Sequence, residues 1–234
     1  MAITVYWTCN EKPWLRAKAP ESIYKNFIKD SKNKTNGIVF CPATKDYMQN
    51  IFGIQSLYSY NFKLNTDGSI SAPLYDQEFF QNNVTIRSKE DRLFSFLQRF
   101  SFFTEEKSLL MSAGMLPFLE DNNITKRCTV IPGTFDIGKW FRQAEFAFYL
   151  KDGFDEFNIE EGEIFQYIRF HTKEKIIFKQ FAMTLKIQDY FYDTENSKEF
   201  RKIKKRSLEE YYLMTKNKKR IIQEIKNNLV SYDG

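Results

Sequence analysis

The chain has 234 residues with 42% hydrophobic side chains, enough for one sizeable core and too apolar for disorder throughout. A single histidine excludes metal sites built on two imidazoles, and three widely spaced cysteines exclude a disulfide framework or paired thiolate ligands for zinc. The formal charge of +5 is uneven: Ser197 to Gly234 holds 11 Lys or Arg against 5 Asp or Glu, leaving 24 against 25 in residues 1–196, so a neutral body precedes a basic tail.

In chain order, Ile3–Thr8 reads as a first strand, PESIYKNFIKDSKNK after Pro20 as a short helix ending in a polar turn at 33–37, and Ile38–Cys41 as a buried strand. Residues 54–63 alternate apolar and polar side chains. With the Asp-Gly turn in NTDGS and the following ISAPLY they predict a hairpin. VTIR within 84–103 suits a strand, while KEDRLFSFLQRFSFF fits either a helix or a continued sheet. SLLMS at 108–112 is strand-like. The block 129–171 places short Phe-, Tyr- and Ile-rich runs between glycine turns, and EKIIFKQFAM at 174–183 adds another apolar run. These runs predict a mainly β body over 1–196, a barrel or sandwich, with a boundary at DTENS.

Beyond that boundary, residues 197–230 lack Gly and Pro and predict a basic C-terminal helix within the appendage 197–234, making the whole α+β. Leu208, Tyr211, Thr215, Ile222, Ile225 and Leu229 form its packing face, and Arg206, Lys216, Lys219, Arg220 and Lys226 its solvated one. Docking on the body with an ordinary charged face is the expected role; the alternative is weak, salt-sensitive contact of those five cations with nucleic acid.

No complete catalytic set is visible. The phosphate-cradling patterns GxxxxGK[ST] and GxGxxG are absent, and nothing local pairs a cysteine with His171, which reads as a structural imidazole at a strand end. Asp136, framed by Gly133 and Gly138, is the one candidate catalytic carboxylate; bonding to local backbone N–H groups is its simpler role. Glu160, Glu161 and Glu163 around Gly162 keep a hairpin turn soluble. Trp7, Trp14 and Trp140 are assigned to the core. No cofactor or metal is expected, and the start MAITVYWTCNEKPW lacks the layout of a signal peptide, so a soluble protein away from any membrane is expected.

The order PGTFDIGKW, AEFAFYL, IEEGEIFQYIRF resembles the trimeric dUTPase and dCTP deaminase superfamily over about forty residues, with Asp136 at that family's Asp turn and Gly162 to Gln166 at its glycine-led strand. The resemblance implies a dUTPase-like barrel, a homo-oligomer with sites between subunits, and pyrimidine-nucleotide binding or hydrolysis in which Asp136 orients water and Gln166 lies near the site. The chain departs from it in lacking the Arg-Ser-Ser or Arg-Ser-Gly phosphate motif and the glycine-rich terminal arm. WLRAKAP, FCPATKDYMQN and PGTFDIGKWFR are also similar to a protein family of tailed phages infecting marine bacteria. That likeness implies an accessory or virion protein in the host cytoplasm or the particle, acting on a protein partner and not as a catalyst.

Overall fold

Short alternating runs with few glycines make strands, and the computed structural model bears this out over the residues it describes, which are 1–9, 17–31, 41–65, 67, 69–72, 82–96, 100–114, 123–141, 143–144, 146–193 and 217–230. One sheet sets β1 (Ala2–Cys9) between β8 (Phe100–Thr104), antiparallel, and β15 (Lys175–Gln180), parallel. A second runs β10 (Cys128–Val130), β12 (Phe146–Leu150), β7 (Leu93–Phe96), β6 (Val84–Ser88). The third, of five strands, runs β11 (Gly133–Asp136), β9 (Leu110–Gly114), β14 (Ile164–Phe170), β3 (Ile51–Gln55), β2 (Glu21–Ser22). A fourth joins β13 (Glu156–Ile159), β4 (Tyr60–Leu64) and β5 (Ile70–Ser71).

None of these sheets closes into a barrel among the described residues, which corrects the barrel expectation while leaving a β-rich α+β fold. Closure needs a continuous ladder of tilted strands with constant stagger. Here most strands span two to five residues, and the register shifts at Ile86/Ser88 and Ile164/Gln166 interrupt two ladders. The run 54–63 is likewise two strands, β3 and β4, because Ser56 breaks the pairing by exchanging backbone hydrogen bonds with Gly162 and Glu163.

The sheets share one apolar core in which phenylalanine dominates. Phe62 and Phe157 stack at 4.9 Å, and Phe157 meets Phe96 at 5.0 Å and Phe94 at 5.5 Å, linking the fourth sheet to the second. Each such ring pair adds about 0.5–1.5 kcal/mol beyond area burial. Within the segment 89–103, which fitted helix or sheet, residues 93–96 and 100–103 fall in β7 and β8, where β6, β12 and β1 offer them partners. Trp7 is buried and Trp140 half-buried; Trp14 and residues 38–40 of the strand expected at Ile38–Cys41 lie outside the described residues, and Cys41 itself is exposed and caps the helix that follows, which corrects its place in a buried strand.

Helix α1 (Ile23–Ser31) and α2 (Pro42–Met48), the latter absent from the sequence reading, cover part of the five-stranded sheet through Ile23, Met48, Ile51 and Tyr167. Helix α3 (Asn123–Arg127) leads into β10, and residues 185–193 form α4. Helix α5 (Lys218–Asn227) docks Ile221 and Ile225 against Phe141, Phe181, Ile187 and Phe191 in a second core behind β1 and β8. No helix among the described residues is long and apolar enough to cross a membrane.

Candidate functional site

Asp136 ends β11 where the chain turns back through 137–139. Its Oδ2 accepts from the Ser108 hydroxyl at 2.6 Å and pairs with the Lys139 ammonium at 2.9 Å; its Oδ1 accepts from the backbone N–H groups of Leu109 and Gly138, both at 3.1 Å. Burial alone would push this carboxyl up, but those four donors outweigh it and hold the group below the ordinary 3.8. With both oxygens engaged, the carboxylate clamps two loops and has no free lone pair aimed at a water. The lowered folded value means that Asp136 stabilises the protein fully above pH 3.8 and loses that contribution as pH falls through the folded value. Asp136→Asn should therefore cost about 1–3 kcal/mol at neutral pH and flatten the acid limb of stability, measured by urea titration from pH 7 to 2.

Lys218 of α5 braces the same corner. Its ammonium donates to the carbonyls of Gly138, at 2.8 Å, and Glu106, and sits 5.6 Å from the centre of the Phe103 ring, where burial lowers its basicity.

Of the cations expected on the solvated face, Lys219 and Arg220 are exposed, and Lys226 pairs with Glu105 at 2.8 Å. Glu105 also accepts the Tyr6 hydroxyl at 2.5 Å, and these two hydrogen bonds, Lys226 first, hold the carboxyl low. Arg206 and Lys216 lie outside the described residues.

Gln166 follows the bulge in β14 and points into the interior with no exposed surface, and neither amide atom finds a hydrogen-bond partner among the described residues. An unpaired buried amide costs about 1–3 kcal/mol. The isosteric Gln166→Met should consequently raise stability by about 1–2 kcal/mol in chemical denaturation; a fall would show that the amide has a use in the native state.

The described residues bring together no group of three or more His, Cys, Asp or Glu side chains that could hold a metal. Polar chemistry gathers instead on the outer face of the five-stranded sheet. Register places Thr134 of β11 opposite Ser112 of β9, and Ser112 opposite Arg169 of β14. Ser112 Oγ lies 3.0 Å from Thr134 Oγ1 and 2.5 Å from His171 Nε2, so side chains from two adjoining strands and from the loop after β14 form one hydrogen-bonded row. The Arg169 guanidinium stacks 4.8 Å above the Tyr47 ring of α2 and has no carboxylate within ion-pair distance among the described residues.

The loop carrying His171 is fixed from below. Asn50, at φ 61° in the left-handed region that asparagine tolerates, donates through its amide to the carbonyls of Thr172 and Glu174, each at 2.8 Å. Gln49 donates to the Lys173 carbonyl at 2.9 Å, and the His171 N–H donates to the Leu110 carbonyl. The result is a cleft of about 460 Å³ between α2 and this loop, lined by Asp46, Gln49, Arg169, His171 and Lys173 among others.

Sequence reading missed Ser112, Arg169 and Lys218. Only strand register could have joined the first two to His171, and no motif encodes that register. No family model, curated protein or solved structure matches the chain.

Proposed function

We propose that this chain acts by binding a protein partner and not by catalysis, in the manner of a phage accessory or virion protein. The observation that carries the reading is the uneven cover of the five-stranded sheet. Helices α1 and α2 pack over β3 and part of β14, while Leu110 of β9, Thr134 of β11 and His171 beyond β14 stay exposed and Ser112 of β9 and Arg169 of β14 half-exposed. A polar row, an arginine with no carboxylate partner among the described residues and an outward leucine on one sheet are the parts of a recognition surface. The phage assignment rests on the likeness of WLRAKAP, FCPATKDYMQN and PGTFDIGKWFR to that protein family.

The test compares wild type with Leu110→Asp as immobilised bait in extract of phage-infected cells. Retention of a defined protein by wild type, lost in the variant with circular dichroism unchanged, is the expected result. Equal capture by both, or none by either, would count against this face. The competing reading, a pyrimidine-nucleotide site on a dUTPase-like arrangement around Asp136 and Gln166, requires dUTP or dCTP to raise the melting midpoint by mass action. No rise is expected, given the engaged carboxylate and the sealed amide.

A further inference from the structure

We infer that the cleft between α2 and the His171 loop is a carboxylate-binding site, which takes an Asp or Glu side chain from an acidic segment of the protein partner. This rests on the binding reading above and names the chemistry of its anchor. Three observations lead to it.

The first is the state of Arg169. A guanidinium stacked on an aromatic face keeps its edge N–H groups free, and the planar fork matches the two oxygens of a carboxylate. Tyr47 holds Arg169 in that pose, and no carboxylate of the described residues satisfies it.

The second is charge. Arg169 and Lys173 contribute two positive charges to the cleft and Asp46 one negative, so these three charges sum to +1. That balance suits a monoanion better than a phosphate dianion, which Asp46 would repel at close range.

The third is preorganisation. His171 and Arg169 project from one strand and the loop beyond it, whose backbone is tied to Asn50 and Gln49 by three side-chain hydrogen bonds. The row from Thr134 through Ser112 to His171 Nε2 further fixes the imidazole ring, so little ordering remains to be done on binding.

The experiment titrates the full chain with a short Glu-rich peptide, read by perturbation of backbone amide resonances, with acetate and inorganic phosphate as parallel probes. Expected are shifts centred on Arg169, His171 and Lys173, an affinity lowered at least about tenfold by Arg169→Gln, and an affinity raised by Asp46→Asn. Acetate should displace the peptide weakly at the same residues. Undiminished affinity in Arg169→Gln, shifts located elsewhere, or phosphate binding more tightly than the peptide would each overturn the assignment. Loss of peptide binding with retained, Leu110-dependent capture of a partner would discard the carboxylate anchor and leave the binding face standing.

Discussion

Gly138→Ala should be the most damaging single-methyl substitution in the turn after β11, lowering stability by about 3 kcal/mol. A Cβ built at position 138 would lie 2.6 Å from the backbone carbonyl oxygen of Glu106 and 3.0 Å from both the N and Cα atoms of Ser108. Backbone on a second loop cannot step aside as a flexible side chain would. That loop is held by the Ser108 hydroxyl and the Leu109 N–H on Asp136, and by Lys218 on the Glu106 carbonyl. Relief would therefore break the clamp or displace α5. Thermal unfolding should show a midpoint lower by roughly 10 °C for a domain of this size. A drop below about 2 °C would mean that the two loops separate easily.

Phe157→Ala should cost about 3–5 kcal/mol, the range for deleting a fully buried ring. Phe157 is 0% exposed and touches Phe62 in its own sheet and Phe94, Phe96 and Phe148 across the interface. Its removal leaves a cavity between two sheets whose strands are too short to reposition independently. Phe157→Leu, which keeps most of the volume, should cost no more than about 1.5 kcal/mol. Urea denaturation of both variants separates a packing role from a local one; similar losses for Ala and Leu would point to ring-specific geometry.

Much of the strand content was legible because alternation is a local property. Ile3–Thr8 lies within β1, and Asp67 accepts the Ser69 N–H in the turn anticipated from Asp-Gly. Gly162, at φ 86°, supplies the left-handed turn expected between the glutamates before β14. Of the face expected for the C-terminal helix, Ile225 is buried and Ile222 and Leu229 pack partly buried beside it, joined by Ile221, while Leu208, Tyr211 and Thr215 lie outside the described residues. What stayed hidden was decided by distant partners. Segment 89–103 carries patterns for two secondary structures, and its partners β1, β6 and β12 choose between them. Helix α2 escaped notice because seven residues give too little periodicity to register.

The site followed the same rule. Asp136 stood out through its flanking glycines, a local signal, and its donors include the adjacent Gly138. Ser112 and His171 are 59 positions apart and meet only because β9 pairs with β14 in one register. A slip of one residue would put Ser112 on the opposite face. Lys218 looked like any member of a basic run until the fold placed it over two carbonyls.

The parallel ladder of β1 and β15 sets a timetable for the nascent chain. Ala2 lies opposite Lys175 and Trp7 opposite Gln180, so β1 leaves the ribosome 173 residues ahead of the neighbour it pairs with. Until then one edge of β1 is open to other strands, and closing so long a loop is slow. Synthesis interrupted before residue 175 would leave that edge bare, which makes truncated chains the species for chaperones to guard and the first to clump.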